Sequence, residues 1–450
     1  MNDFTIGTEQ HDGHGQIGTT FGETFEKELT HLQAEYDLEQ LAEECKALVR
    51  RREVQNAMDL LRIIMCYSVV DYSLRMVGIW CTVVGIANLS KTALLNRLRN
   101  SQMWMGKLVM LALGQQKLLH QGVDKLRVRI IDASVICQLG SRGADWRLHM
   151  SFDLMAGCLD EVELTNGSGA ERLNRFAFKP GELCIADRAY AVAKSLGWIL
   201  AQGAWVLVRA GWSRLSYENE NGQRFDVVQW LRGTHLERLG APAEVTVWIT
   251  CPEGRYALRL LAQAISEEAT EKARRKARAD AAKNHNTVDE RSLFVAGYVL
   301  LLTNLPADIW AIDSVIQLYR FRWQIELAFK RMKGLIHLDH LRCKDPELVQ
   351  VCLFAKLFAV ILMERHQLQL TAQQADAFIS TDRPISLWRL SALFLDHIRS
   401  SVHGQFTLAN ILEAFPRLTR FLADEPRKRK QQFALAKSLL LAFSPTCASA

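Results

Sequence analysis

Hydrophobic and polar positions follow three textures along the chain. From about residue 25 to 120 apolar residues recur at helical spacing, with "FEKELTHLQAEYDLEQLAEECKALVRRR" the clearest amphipathic run. Within it, "SLRMVGIWCTVVGI", "ANLS" and "KTALLNRLRNS" predict helix, short turn and helix, with Ser90 placed to cap the second. From 127 the period shortens. "VRIIDASVI", "WRLHMSFDLM" and "DEVELTN" read as strands separated by Gly-containing breaks. A helix is expected at about 169–177, and "GELCIADRAY" then supplies a strand that ends at Asp187. Three strands, a helix and a fourth strand predict a mixed α/β sheet.

Residues 205–303 carry further strand-like runs, "AWVLVRA", "RFDVVQWL", "EVTVWITC", "RYALRLLAQAI" and "FVAGYVLLLT", joined by polar turns. They are interrupted by "EKARRKARADAAK", which reads either as a helix facing a polyanion or as a solvated charged helix. Beyond 334 the chain is mostly helical and includes a basic cluster, "PRKRKQQ". Residues 1–24 are rich in Gly, Thr and His with little periodicity and predict a flexible arm. The expected division is therefore an arm (1–24), a helical region (25–120), an α/β part (121–204), a β-rich insertion (205–303), a second core part (304–345) and a helical C-terminal region (346–450).

Composition refines this picture without replacing it. The 450 residues suffice for two or three domains, and 49% are hydrophobic, so most of the chain should fold. A net charge of +6 permits a polyanionic partner without demanding one. The ten cysteines include no Cys-x-x-Cys pair and read as small buried hydrophobes in a reducing compartment. The first twenty residues lack the basic start and apolar run of a signal peptide. The apolar runs "VGIWCTVVGIA" and "VCLFAKLFAVILM" fall short of the ~20 residues that span a bilayer. A soluble, cytoplasmic protein is the expectation.

Candidate chemistry starts with a decoy. "GIANLSKT" has the length of a phosphate-binding loop, but Ser90 stands where a Gly is needed before Lys91, and its Cβ obstructs the tight cradle. Carboxylates give the stronger signal. Asp132 interrupts an apolar strand, where an uncompensated charge is costly, and Asp187 repeats the pattern at a strand end. Each alone is compatible with an Asp that caps a turn; two in one sheet suggest a shared cation. A helical wheel of "YRFRWQIELAFKRMK" (319–333) puts Tyr319, Arg322, Glu326 and Lys333 within an arc of roughly 60°. Phe321, Ile325, Ala328, Phe329 and Met332 fall on the adjoining, core-facing arc. Either Arg322 and Glu326 form an i,i+4 salt bridge and nothing more, or Glu326 joins the two aspartates in holding divalent ions for phosphodiester chemistry.

The spacing Tyr-x₂-Arg-x₃-Glu-x₆-Lys at 319, 322, 326 and 333 resembles the signature of bacterial insertion-sequence transposases of the Asp-Asp-Glu class. "IIDASVI" resembles that family's first-aspartate strand and "ADRAY" its second-aspartate segment, with "GSRGADWRLH" between them. The likeness covers roughly residues 80–365. It implies a ribonuclease H-like catalytic core with a β-rich insertion; the flanking regions are expected to be helical. The residues around Ser90, with Lys91, Arg97 and Arg99 on the exposed side, read either as a helix-turn-helix that makes 25–120 a DNA-binding region or as an ordinary hairpin with a solvated face. The likeness also implies Asp132, Asp187 and Glu326 as catalytic residues and ligands of Mg²⁺ or Mn²⁺, two ions in all. Tyr319, Arg322 and Lys333 would bind DNA phosphates near the cleaved end. The implied activity is cleavage at terminal inverted repeats and joining to target DNA by a homodimer on paired double-stranded ends, in the cytoplasm at the bacterial nucleoid. A metal-dependent nuclease without strand transfer and a catalytically silent DNA-binding regulator are the alternatives. In one respect the sequence departs from the pattern: relatives stack a flipped base on a Trp in the strand before the signature helix, where Val299 stands here, with Tyr298 on the opposite face.

Overall fold

One mixed sheet organises residues 128–341 of the computed structural model, which describes residues 23–118, 126–138, 140–141, 143–236, 240–283, 285–373 and 386–404. Its strands are β1 (Val128–Gln138), β2 (Trp146–Asp153), β3 (Cys158–Asn166), β4 (Leu183–Ala186), β5 (Trp205–Arg209), β6 (Tyr217–Glu218), β7 (Ala243–Cys251), β8 (Gly254–Ala264), β9 (Tyr298–Thr303) and β10 (His340–Leu341). They run in the order β3-β2-β1-β4-β5-β9-β8-β7-β6, and β10 pairs with the far end of β1. The pairs β1–β4, β4–β5 and β1–β10 are parallel; the others are antiparallel. The strands of 205–303 thus extend the same sheet instead of forming a separate one. β5 lies beside β4, and β9 returns beside β5 to carry β8, β7 and β6 outward.

Strand alternation divides the apolar residues between two cores. Ile130, Ile185, Leu207, Leu261 and Leu301 enter one. Ile131, Cys184, Val206, Leu260 and Leu300, their chain neighbours, enter the other. Helices cover the first core: α1 (Glu23–Gln33), α2 (Leu38–Glu44), α3 (Ala57–Ser68), α4 (Leu74–Val83), α5 (Lys91–Asn100) and α6 (Gln102–Leu118) precede the sheet. The second core is covered by α7 (Ala193–Ala201) and α8 (Val227–Thr234). After them come α9 (Glu267–Lys283), α10 (Glu290–Val295), α11 (Ile312–Arg320), α12 (Trp323–Ile336), α13 (Pro346–Gln373) and α14 (Leu387–His403).

Several local expectations are corrected. The helix expected at 169–177 is a single 3-10 turn, Leu173–Arg175. Phe176 leaves it in extended backbone, which lets Phe176 and Phe178 both reach the second core. "RFDVVQWL" forms α8, not a strand, because Asp226 caps the N–H groups of Val228 (2.9 Å) and Gln229 (3.1 Å) while Val227, Val228 and Leu231 bury one helical face. Only the second half of "FVAGYVLLLT" is strand; its start closes α10. "VCLFAKLFAVILM" lies within the 28 residues of α13, a helix long and apolar enough by length and composition to cross a membrane. Its most apolar window is 72% buried inside the protein. Lys356 on this helix is met by the carbonyls of His337 (2.6 Å) and His340 (3.1 Å), and burial lowers its amine to about 8.

The predicted hairpin of α4 and α5 is present, with Ser90 Oγ accepting from Ala93 N at 3.2 Å. Of the cations expected on its exposed side, Arg99 pairs with Asp345 at 2.6 Å, Arg97 donates to the Arg50 carbonyl, and Lys91 is exposed. The charged helix α9 is solvated along most of its length, with Thr270 its buried residue. Residues 1–22, most of the expected arm, and "PRKRKQQ" lie outside the described residues.

Candidate active site

Asp132 and Asp187 are brought together by register. The last rung between β1 and β4 pairs Ile131 with Ala186, so the two aspartates occupy the next rung. There β1 stays paired with β2, Asp132 opposite Met150, and parts from β4. Alternation turns both carboxylates to the face shared by Ile130 and Ile185. Helix α12 packs on that face through Ile325, Ala328, Phe329 and Met332, all buried in the first core. Glu326, between the buried positions, is therefore carried to the strand ends.

The signature segment is not one helix. It breaks at Phe321–Arg322, between α11 and α12, with both residues still near helical backbone angles. The break corrects one wheel assignment: Phe321, placed on the core arc, is 48% exposed, as is Trp323. Lys330 lies over the Trp323 ring at 4.5 Å. Arg322 at the break reaches both carboxylates. Its Nη1 is 3.7 Å from Asp132 Oδ2, and its Nη2 donates to Glu326 Oε1. The i,i+4 salt bridge foreseen for Arg322 and Glu326 thus exists, and it also extends to Asp132.

Burial pushes the Asp132 carboxyl up to about 6; the Ala133 N–H (2.8 Å) and Arg322 oppose the rise, and the charge of Asp187 adds to it. Asp187 also caps the turn that follows β4, accepting from Ala189 N at 2.7 Å. Capping and facing Asp132 are compatible roles for one side chain. The oxygens of Asp132, Asp187 and Glu326 do not all lie within 4.8 Å of one another, and Arg322 bridges two of these residues, Asp132 and Glu326. Tyr319, at the end of α11, is largely buried, and its phenol is raised to about 12 by burial, against the pull of Arg322 and Arg209. Lys333 is half-buried, two turns beyond Glu326, and makes no hydrogen bond or ion pair among the described residues.

A neighbouring feature escaped the sequence. A cavity of about 470 Å³ opens beside Asp187, its wall formed by Ala189, Arg147, Glu171, Arg172, Lys194 and Arg214. Four cations face one acid there. Arg147 lies 3.5 Å from Glu171, whose carboxyl is raised by burial and by Asp187 against the effect of Arg147. Arg147 sits inside "GSRGADWRLH" on β2, but the others are scattered over loops, turns and α7 and share no spacing. On β9, Val299 packs toward the first core and Tyr298, 5% exposed, lies in the second against Phe294. The exposed aromatics near the carboxylates are Phe321 and Trp323, on either side of Arg322.

The family "Transposase DDE domain" matches residues 124–362, a span that contains all three carboxylates. The transposase for insertion sequence element IS421 of Escherichia coli is 37% identical over 343 residues, covering 75% of this chain and 92% of that protein. The InsL protein for insertion sequence element IS186A of Escherichia coli K12 is 37% identical over 342 residues, with the same shares covered. The transposase for IS231F of Bacillus thuringiensis subsp. israelensis is 26% identical over 365 residues, 72% of this chain and 76% of its own. The chain belongs to the DDE-class transposases of bacterial insertion sequences. Membership of this class implies a DNA substrate and the use of a divalent metal.

Proposed function

We propose that the protein cuts the ends of an insertion element and joins them to target DNA, with Asp132, Asp187 and Glu326 as the catalytic metal ligands. One observation carries the reading: Asp132 and Glu326 from separate segments meet on a single guanidinium, Asp187 follows the last β1–β4 rung beside Asp132, and Asp132 is raised to about 6 by burial with the charge of Asp187 adding to it. A donor set made only of carboxylate oxygens suits hard Mg²⁺ or Mn²⁺, and two ions fit the phosphoryl-transfer chemistry of the class. When bound, such ions activate the attacking oxygen and stabilise the leaving one.

The chain's own residues do the positioning. Arg322 holds Asp132 and Glu326 near each other before DNA arrives, and its fork is suited to a phosphate once those carboxylates are otherwise engaged. Tyr319 keeps its proton at working pH and can donate to a phosphate oxygen; Lys333 offers a point charge further along α12. The cations beside Asp187 extend this surface for the strand beyond the cleaved bond. The order β3-β2-β1-β4-β5, antiparallel and then parallel, supports a ribonuclease H-like core, with the strands from β6 to β8 as its insertion. The helices before β1 would contribute to DNA binding, and two copies would act on paired inverted repeats. The reaction would take place in the cytoplasm, at the nucleoid.

A strand-transfer assay with the element's own ends and Mg²⁺ tests the proposal. Cleavage with joining is the expected outcome. Cleavage without joining would make the protein a nuclease, and binding without cleavage a regulator.

A further inference from the structure

Away from the sheet, α1, α13 and α14 bring three metal-ligating side chains to one point. Glu28 presents both carboxylate oxygens: Oε2 is 2.6 Å from His366 Nε2 and Oε1 is 2.7 Å from His397 Nε2. Among the described residues this is where three His, Cys, Asp or Glu ligand atoms all lie within 4.8 Å of one another. The Glu28 side chain is 9% exposed, His366 24% and His397 48%, so the cluster is rooted in the interior and opens at the surface. The His366 ring is stacked on Phe394 at 5.4 Å and meets the His397 ring edge-on at 5.5 Å, which fixes its orientation.

We propose that Glu28, His366 and His397 form a second metal site, for a borderline-soft divalent ion of which zinc is the best fit. Two imidazoles and one carboxylate, with the fourth position open to water, make up a common zinc ligand set. Imidazole nitrogen disfavours Mg²⁺, so the two sites of this protein take ions of different hardness. The present hydrogen bonds hold the donors in place. The carboxylate can only accept, so each neutral ring carries its proton on Nε2. On metal binding that proton moves to Nδ1, a change of tautomer with no net loss of charge. The ion would pin α1 to the two C-terminal helices, adding to the bond from Gln115 Nε2 on α6 to the His31 carbonyl (2.9 Å). The proposal is independent of the DNA reaction.

The test uses the full chain, stripped of metal and then saturated with Mg²⁺ to occupy the catalytic carboxylates. Titrated Co²⁺ should bind at one equivalent with the visible absorption of a four-coordinate ion, zinc should displace it, and zinc should raise the Tm. His397→Gln and Glu28→Gln should lose both the absorption and the zinc-dependent rise. His397→Cys, which restores a soft ligand, should regain them, and this guards against a loss caused by misfolding. Absence of a four-coordinate spectrum in the wild type would overturn the proposal. So would an unchanged spectrum in His397→Gln, or failure of His397→Cys to recover binding in a folded protein.

Discussion

Strand β1 carries two charged clusters three residues apart, and they are built on opposite plans. Near its start, Arg127 and Arg129 meet Asp153, Asp160, Glu161 and Glu182, with Lys117 joining from α6. Arg129, 1% exposed, lies 2.8 Å from Asp160 and over the Phe178 ring at 4.6 Å. Burial would push the Asp160 carboxyl up, but Arg129, Lys117 and Arg127 outweigh it and hold it below its ordinary range. At Asp132 the balance is reversed. Asp132 and Glu326 share Arg322, the charge of Asp187 adds to the burial of Asp132, and the Asp132 carboxyl rises to about 6. Burial acts on both aspartates alike; the supply of cations differs. A cluster in which three cations serve four acids is a structural joint, whereas one in which a single guanidinium serves the acids is a place for something positive.

The largest expected effect is on catalysis. Asp187→Asn or Glu326→Gln should reduce cleavage and strand transfer by more than about 100-fold, beyond what loss of a group that merely orients a metal ligand causes. Circular dichroism should show an intact fold. Next is the joint. Arg129→Ala leaves Asp160 to Arg127 and Lys117, and Glu182 to Arg127, and should cost about 1.5–3 kcal/mol for the lost charged hydrogen bonds, read as a lower midpoint in urea. If this variant were as stable as the wild type, the contrast between the clusters would fail.

Asp132→Asn should do the opposite in the metal-free protein. The carboxyl titrates near 3.8 in the unfolded chain and at about 6 in the folded one, so its burial costs nothing below 3.8, destabilises progressively as pH rises from there to about 6, and costs no more above that. The Asn variant should therefore gain about 1–3 kcal/mol at pH 8, after allowance for partial exposure, and little at pH 4. It should be inactive at both. A urea series across this range measures the gain. The smallest effect belongs to the cavity beside Asp187. Arg172→Ala and Arg214→Ala should each lower the slope of log affinity against log salt by about 1, as expected for a lost phosphate contact. Fluorescence anisotropy with end DNA would detect it.

The candidate site drew more on the sequence than the fold around it did, for physical reasons. A carboxylate inside "VRIIDASVI" is anomalous wherever the strand goes, so Asp132 announced itself, and Asp187 did so for the same reason. Glu326 needed only helical periodicity over one turn on either side, which the break at Phe321–Arg322 leaves intact; Phe321, on the far side of that break, was misplaced. Local periodicity could not show that β5 and β9 lie side by side. Their pairing joins residues about ninety positions apart and is set by packing, not by pattern. Arg172, Lys194 and Arg214 were missed because a basic cavity assembled from three segments leaves no spacing in the chain. Asp226 misled in a different way: "RFDVVQWL" is β-rich by composition, and a single capping side chain turned it into α8.

The central claim is that the three carboxylates form one ion-binding unit, and Mn²⁺ uptake followed by electron paramagnetic resonance tests it most directly. With zinc present to occupy the Glu28 cluster, the wild type should take up Mn²⁺ with its free signal reduced, and Asp132→Asn and Glu326→Gln should each lose that uptake while remaining folded. Equal Mn²⁺ binding by the wild type and both variants would contradict the account.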